Sequence, residues 1–393
     1  MRQVCDDERR ARLAVRHALA PASRRDSPEA AVQAMTVLHA TEPATVYLSC
    51  WARTRSLEVA GVDRALYEDR SLVKQLAMRR TLFVFPRDLL PAVWPSASAR
   101  VAGTERARMS KDVTKEGLCD DGVAWLERAG AAVLAVLSDA PDGRTAAEVR
   151  QAVPMIDVRV SASESLAASR VLTLLGATAE IVRGTNAGRW HTSRPRWTLM
   201  QHWLEDVPSP WGADDGYREL VRRWLHTFGP GTEDDIVWWL GATKAVVRTA
   251  LAELGAKAVS LDQGGTGWLL PDDLDEAPDP GSWAALLPVL DPTIMGWRGR
   301  DFYLGPHRDR LFDSRGNAGT TAWVDGRAVG SWVQDDAGVV EVRLLERISV
   351  HARRALDVEA SRLTTWLSGF RVPSVYRSPA MEAPPPSWMA RPN

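Results

Sequence analysis

Two segments in the middle of the chain repeat one order of helix and strand signals, and the N-terminal region can be interpreted as a third copy of that order. β-prone runs then dominate towards the C-terminus. These observations predict an α+β fold with three tandem winged-helix units followed by a C-terminal small β-barrel. The predicted domains cover residues 1–95, 96–205, 206–275 and 276–393.

The N-terminal copy combines helix signals with one β-prone run. Ser27 and Pro28 supply an N-cap and a first-turn proline, and apolar residues then recur at helical spacing as far as Leu38. The run 77–85 is predicted to form the wing or hairpin of this copy. Helices are predicted over residues 8–19, 28–38 and 63–67.

The second and third copies each begin at a threonine with an acidic residue in the first turn, Thr145 and Thr232, which is typical of a helix N-terminus. A second helix is predicted over 166–175 in one copy and 243–254 in the other. Two β-prone runs joined by a Gly-rich turn then predict a hairpin in each copy. These runs are 178–182 and 189–192 in the second copy, and 256–261 and 267–270 in the third.

A winged helix presents one helix and one β-ribbon to a DNA duplex, so three such units in one chain indicate nucleic-acid binding. Winged helices also serve as protein-docking modules, and that alternative stays open.

The C-terminal part of the chain is predicted to be a meander or small barrel, because β-rich runs alternate with turns at 325–326 and 335–338. An amphipathic helix over 350–370 closes this domain, and residues 384–386, three prolines, mark a loose tail. The β-rich runs are 285–290, 320–324, 327–334 and 339–345.

Composition limits the classes of function. The chain has 393 residues and is 45% hydrophobic, which is enough for large cores, and its net charge of −1 argues against a protein that coats nucleic acid indiscriminately. Only five of the 49 basic residues are lysines, so the surface is rich in arginine side chains that match phosphate geometry.

The chain is expected to be cytoplasmic and independent of metals and cofactors. It has no apolar run of transmembrane length, and its first residues lack the apolar core of a secretion signal, so no membrane association is predicted. Cys5, Cys50 and Cys119 are too scattered for a disulfide framework, a zinc knuckle or a four-cysteine iron–sulfur cluster.

The best candidate for an active site is the turn that carries His39 and Thr41, between two apolar helical segments. Because Pro43 begins the next helix, unpaired backbone N–H groups at this junction can face an anion. The alternative is that both side chains merely cap and connect two core helices.

With these parts assembled, the chain resembles the bacterial winged-helix DNA glycosylases that excise bulky alkylpurine adducts and unhook interstrand crosslinks, known from self-resistance in producers of azinomycin-type genotoxins. The local segments that carry the resemblance are 38–53, 78–82, 287–292, 317–319 and 329–332. The catalytic motif of that family is Gln, an apolar residue and Gln, and the matching positions here are His39, Ala40 and Thr41. Both glutamines of the motif are thus replaced, which leaves three possibilities: a glycosylase with altered adduct choice, an adduct binder without hydrolysis, and a DNA-binding protein of another use.

The resemblance implies hydrolysis of the N-glycosidic bond of an N7-alkylated guanine, which leaves as a base that already carries positive charge. The protein must then place a water and stabilise an oxocarbenium-like sugar. His39 can accept the proton of that water and Thr41 can orient it. Glu42 is an electrostatic partner, or a carboxylate that only stabilises its helix terminus. Asp291 is a catalytic candidate by resemblance alone, with a turn residue as the alternative.

A lyase mechanism through a Schiff base requires an amine near the sugar, and no lysine lies within 39–53, so monofunctional hydrolysis is preferred. Arg79, Arg80 and Thr81 begin the hairpin that the relatives use to engage DNA beside the lesion. The other candidates for DNA contact lie in the second helices or after the second wing, and each has an ordinary solvated charge as its alternative: Arg170, Lys244, Arg248, Arg194 and Arg196.

The sequence therefore predicts a monomeric, monofunctional DNA glycosylase that acts on double-stranded DNA carrying alkylated purine adducts, the N7-alkylguanine adducts of a genotoxic natural product, in DNA repair or antibiotic self-resistance. The main alternative is a non-catalytic winged-helix DNA-binding protein, either a lesion binder or a transcriptional regulator. Regulators of this fold usually dimerise on palindromes, which three units in one chain disfavour. An interaction scaffold is the third hypothesis.

Overall fold

A computed structural model of the chain describes residues 1–160, 166–262 and 264–383, and its fold is the mixed α+β type that the sequence predicts. The strands are β1 (Gln3–Val4), β2 (Leu38–His39), β3 (Leu72–Ala77), β4 (Thr81–Pro86), β5 (Arg144–Thr145), β6 (Ile181–Asn186), β7 (Pro195–Leu199), β8 (Lys257–Leu261), β9 (Thr266–Leu269), β10 (Ala284–Leu287), β11 (Thr321–Val324), β12 (Arg327–Gln334) and β13 (Val340–Leu344).

The first ten helices are α1 (Asp6–Arg16), α2 (Pro28–Ala34), α3 (Pro43–Arg53), α4 (Val59–Asp63), α5 (Leu90–Val93), α6 (Ala99–Lys115), α7 (Gly122–Ser138), α8 (Ala146–Ala152), α9 (Ala167–Ala177) and α10 (Met200–Trp203). The remaining helices are α11 (Ala213–Phe228), α12 (Glu233–Leu240), α13 (Lys244–Glu253), α14 (Pro292–Met295), α15 (Asp301–Leu304), α16 (Arg308–Leu311), α17 (Val350–Leu367) and α18 (Pro379–Glu382). None of these described helices combines the length and the apolar character needed to cross a bilayer.

The chain divides into two compact parts, which we call the discontinuous lobe (residues 1–62 and 221–393) and the central lobe (residues 63–220). The division differs from the four consecutive domains drawn from the sequence. One reason is that β1, at the N-terminus, pairs in parallel with β8, which the sequence assigned to the third copy. The resulting sheet has the order β1-β8-β9.

The central lobe contains the second copy of the helix, helix and hairpin order. Thr145 caps α8 in a capping box with Glu148, so this predicted helix start is confirmed. The predicted second helix is α9, and its buried face joins one apolar core with α6 and α7. The return strand was predicted at 189–192 but is β7, Pro195–Leu199, because the connecting turn is longer than the glycines indicated.

The central lobe also contains the hairpin that the sequence predicted within 77–85. The hairpin pairs β3 with β4, and Ala77 lies opposite Thr81. The predicted run therefore covers only the last residue of the first strand, the turn and the second strand, and the first strand begins at Leu72.

The discontinuous lobe contains the third copy and the C-terminal sheet. Thr232 caps α12 in a capping box with Asp235, α13 follows, and β8 and β9 form the predicted hairpin. Beyond them lies one antiparallel sheet in the order β10-β11-β12-β13, and α17 packs on it. Residues 384–386, predicted to be a loose tail, lie outside the described residues.

Candidate functional site

The candidate motif lies between α2 and α3 in the discontinuous lobe. Helix α2 ends at Ala34 and not at Leu38 as predicted, because Thr36 adopts a left-handed backbone conformation with φ of 64°. The chain then forms the short strand β2, and α3 begins at Pro43. The junction predicted from Pro43 is therefore present, four residues after His39.

The three candidate catalytic side chains in this segment differ in their access to solvent. His39 is only 5% exposed, Thr41 is exposed, and Glu42 is partly buried. The N-cap of α3 is Glu42, so neither His39 nor Thr41 occupies the cap position that the alternative interpretation required. Thr41 is thus the motif side chain that a ligand in solution reaches most directly.

The carboxylate of Glu42 makes no capping hydrogen bond to α3. It accepts one hydrogen bond from the Ser374 hydroxyl at 3.0 Å and one from the Val375 N–H at 3.1 Å. Burial raises the pKa of Glu42 above its ordinary value, and these two donors oppose that rise because they favour the charged form.

Asp291, a predicted catalytic residue, has a structural role instead. The residue is completely buried, and its two carboxylate oxygens accept hydrogen bonds from both Nη atoms of Arg53 at 2.7 and 2.8 Å. Burial alone raises the pKa of Asp291, but the charge and hydrogen bonds of Arg53 outweigh it and hold the pKa below its ordinary value. A carboxylate fixed in this way does not reach a substrate, so the catalytic assignment of Asp291 is corrected.

Arg53 belongs to a polar stripe on α3 that the sequence analysis missed. Thr45, Ser49 and Arg53 recur every four residues, which places them on one face of the helix. Thr45 donates to the Val289 carbonyl at 3.0 Å, and Ser49 donates to Asp291 at 2.8 Å. The stripe therefore holds α3 against the segment that leads from β10 into α14. The sequence did contain a signal for this contact, namely polar residues that recur at helical spacing in an otherwise apolar helix.

The same network continues to a second buried histidine, His17. Arg53 Nη2 donates to Thr293 Oγ1 at 2.8 Å, and this hydroxyl lies 3.0 Å from His17 Nδ1. His17 Nε2 lies 3.2 Å from the Thr227 carbonyl, which only accepts, so Nε2 carries the proton and Nδ1 accepts from Thr293. Burial, followed by the charge of Arg53, lowers the pKa of His17 to about 3, and the ring is neutral at physiological pH.

Thr227 also fixes the chain just before the motif. Its hydroxyl lies 2.9 Å from the hydroxyl of Thr36, the residue at which α2 ends. Thr36 in turn donates to the Arg223 carbonyl at 3.2 Å. The polar network therefore supports the motif on both sides, before β2 and along α3.

The candidate DNA-binding hairpin lies in the central lobe. Arg79 and Arg80 form the turn between β3 and β4, and both have positive φ, 55° and 59°. Arg80 is half exposed and its Nε lies 3.0 Å from a Glu105 carboxylate oxygen. Thr81 begins β4 and is partly buried. The two adjacent guanidinium groups thus lie at the tip of the hairpin rather than at its start.

Of the predicted DNA contacts in the central lobe, Arg170 is corrected, whereas Arg194 and Arg196 stay predictions. Arg170 is 8% exposed, and its Nη1 lies 2.7 Å from an Asp112 carboxylate oxygen, so its charge is neutralised inside the lobe. Arg196 donates to the carbonyl oxygens of Asp142 and Gly143 and stabilises that turn. Arg194 remains an exposed candidate.

Lys244 and Arg248 lie at the surface of the discontinuous lobe, on α13. Lys244 Nζ lies 2.8 Å from Asp234, and Arg248 Nε lies 2.7 Å from Glu233, both in the first turn of α12. Exposed ion pairs of this kind contribute about 0–1 kcal/mol, so a phosphate can replace the carboxylate as partner. Among the described residues there is no cluster of three His, Cys, Asp or Glu side chains with the geometry of a metal site.

Comparisons with known proteins show both a family and a similar solved structure. The model of the family "DNA glycosylase AlkZ-like" matches residues 32–366, which include the motif, α3 and Asp291. Among solved structures, the chain is similar to the Streptomyces sahachiroi DNA glycosylase AlkZ with a TM-score of 0.74 and 19% sequence identity, covering 93% of this chain and 98% of that chain. No curated protein sequence matches the chain.

Proposed function

The chain belongs to the AlkZ-like DNA glycosylase family, and we propose that it is a monofunctional glycosylase that hydrolyses the N-glycosidic bond of bulky alkylated purines, above all N7-alkylguanine adducts. Its site is the segment His39, Thr41 and Glu42. We place this activity in the cytoplasm, in DNA repair or in self-resistance to a genotoxic natural product.

The proposal rests on the exposure and the hydrogen bonds of the side chains in this segment, which lies within the residues matched by the family model. An exposed hydroxyl, Thr41, lies beside a carboxylate, Glu42, whose orientation is fixed by two donors. Both follow an imidazole, His39, and all three residues lie within the part of the chain that the family model matches. Since Asp291 is paired with Arg53, these three side chains remain of the four that the sequence predicts to be catalytic.

The chemistry needs orientation more than strong acid–base catalysis. An N7-alkylated guanine is cationic and departs without being protonated, so the protein has to place a water and stabilise a positively charged sugar. We assign the orientation of the water to Thr41 and the acceptance of its proton to His39. The Glu42 carboxylate stabilises the oxocarbenium-like charge.

We further propose that the three helix, helix and hairpin copies are winged helices that contact duplex DNA, and that the C-terminal sheet is part of a small barrel. Arg79 and Arg80 at the hairpin tip would contact the phosphates or the minor groove beside the lesion, with support from Arg194, Lys244 and Arg248. One chain carries all three copies, so a monomer suffices. A bulky adduct fills a groove and opposes entry of the base into a tight pocket, which favours action on the unflipped nucleotide.

The decisive experiment incubates the full chain with duplex DNA carrying defined N7-alkylguanine adducts, followed by alkaline cleavage at abasic sites. We expect excision by the wild type and a loss of about 10²–10³-fold in single-turnover rate for Thr41→Ala and His39→Ala, the range of one lost transition-state contact. Thr365→Ala, at an exposed threonine of α17, is the matched control and should excise like the wild type. Duplex binding without any abasic product over a panel of adducts would contradict the proposal and favour a lesion binder.

A further inference from the structure

The chain continues beyond α17 as a segment that we call the strap, residues 371–383, which lies outside the residues matched by the family model. Its first end is fixed to the C-terminal sheet through Gln334. The Val372 N–H donates to Gln334 Oε1 at 2.9 Å, and Gln334 Nε2 donates to the Phe370 carbonyl at 2.8 Å. The strap therefore begins at a defined place on β12.

The second end of the strap is fixed by a guanidinium group and by apolar packing. Arg343 Nη1 donates to the carbonyl oxygens of Met381 and Ala383, each at 2.7 Å. The Met381 side chain is buried in a cluster with Val289 and Leu290. These two residues belong to the segment on which the polar stripe of α3 lies, so the strap and α3 have a common support.

Between its two ends the strap contacts the motif at Glu42. Ser374 Oγ donates to one carboxylate oxygen and the Val375 N–H donates to the other. The Tyr376 N–H donates to Ser374 Oγ at 3.1 Å, so the serine hydroxyl accepts from the strap and directs its own hydrogen at Glu42. One donor on each carboxylate oxygen fixes both the position and the plane of the carboxylate.

We propose that the strap is a positioning element of the active site, in which Ser374 and Val375 hold the Glu42 carboxylate beside Thr41 in the orientation that stabilises the developing positive charge of the sugar. This inference rests on the function proposed above and deepens it. Ser374 and Val375 are positioning residues, because they act through Glu42 and not on the substrate.

The strap contact has a consequence for pH dependence. Hydrogen bonds to the charged form of a carboxyl lower its pKa, so removal of the Ser374 hydroxyl raises the pKa of Glu42 further. The titratable groups around this carboxyl include the Tyr376 phenol on the strap, Asp313, whose charge also acts on that phenol, and His39 on the segment of Glu42 itself. The Tyr376 phenol, whose pKa is raised by burial and by the charges of Glu42 and Asp313, and the Asp313 carboxylate supply no cation that replaces the lost donor. His39 supplies one only where its imidazole is protonated.

The first test measures excision by the full-length variants Ser374→Ala and Ser374→Thr. We expect Ser374→Ala to lower kcat about tenfold with KM unchanged, the effect of one hydrogen bond to a charged group. His39 and Glu42 both contribute to the acidic limb of the pH–rate profile. In Ser374→Ala the step that belongs to Glu42 should move towards neutral pH, because the ionised carboxylate is lost at a higher pH, whereas the step that belongs to His39 should stay. Ser374→Thr keeps the hydroxyl and should restore both properties.

Ser361→Ala provides the matched control, since Ser361 is an exposed serine of α17 that bonds the Asp357 carbonyl of its own helix. A Ser374→Ala protein with wild-type kcat and an unmoved acidic limb would overturn the strap proposal and leave the proposed function standing.

A second readout needs no activity. The carboxyl resonance of Glu42 in glutamate-labelled protein, identified by its absence in Glu42→Gln, should titrate at higher pH in Ser374→Ala than in the wild type and in Ser361→Ala. Identical titrations would also overturn the proposal. If the wild type excises no adduct, the proposed function fails, whereas the titration still decides whether the strap holds the carboxylate.

Discussion

Replacement of Asp291 by asparagine separates a structural carboxylate from a catalytic one. Asparagine keeps the shape of the side chain and removes its charge, so the fully buried Arg53 guanidinium loses its counter-charge. Breaking one partner of a buried ion pair costs about 3–5 kcal/mol, because the other charge stays desolvated. We expect Asp291→Asn to lower the free energy of unfolding of the discontinuous lobe by about this amount.

Urea denaturation of the full chain, followed by tryptophan fluorescence, measures the effect. The double variant Arg53→Met/Asp291→Asn should recover part of the loss, since it removes both buried charges. Arg55→Met serves as the control, because Arg55 and Asp26 form an exposed pair worth no more than about 1 kcal/mol. If Asp291→Asn keeps wild-type stability while excision falls by orders of magnitude, Asp291 is catalytic and the reasoning above is wrong.

Three further outcomes are expected. His17 stays neutral in the folded state down to pH about 3, whereas the unfolded chain binds a proton below its ordinary pKa of 6.5. The free energy of unfolding should therefore fall by about 1.4 kcal/mol for each pH unit as the pH is lowered from 6.5 to about 3. His17→Gln should flatten this slope in urea titrations, and an unchanged slope would contradict the neutral state of His17. Burial, with the charge of Arg183, lowers the pKa of Lys74 to about 7, so Lys74→Met should raise the melting temperature at pH 6, with a gain that shrinks as pH rises from 7 to 10. A variant that melts below the wild type at pH 6 would refute this. Arg80→Ala should reduce the slope of log affinity against log salt for duplex DNA by about one, and an unaltered slope would exclude a phosphate contact.

The parts of the fold that could be predicted from the sequence are those with local causes. Thr145 and Thr232 start helices because each bonds a backbone N–H three residues ahead, an interaction contained in one turn of chain. The pairing of Gln3 with Ser260 has no such signal, since it joins residues more than 250 positions apart. The end of α2 was also missed, because Thr36 is held in its left-handed conformation by tertiary hydrogen bonds to α11.

In the candidate site too, features with local causes could be predicted and features set by distant residues could not. Proline and turn signals around His39 and Thr41 located the junction, since helix ends are local features. Asp291 could not be separated from a catalytic carboxylate by its sequence context, because its role depends on Arg53, which lies 238 positions away. Ser374 was missed for the same reason: a lone serine in an extended segment carries no sign of the carboxylate 332 positions away that it holds.

Two supports from different parts of the chain meet at the segment of His39, Thr41 and Glu42, and this bears on the chemistry proposed for it. The polar stripe of α3 fixes the helix that begins at Pro43, and the strap fixes the carboxylate just before it. Threonine has a shorter reach and fewer donors than glutamine, so it can place a water only if its backbone is held in one position. In the proposed reaction the leaving group is cationic, so little acid–base strength is needed, and a rigid backbone supplies the orientation that is needed instead. We therefore propose that the Thr41 hydroxyl and the His39 imidazole suffice for the reaction while the surrounding network is intact.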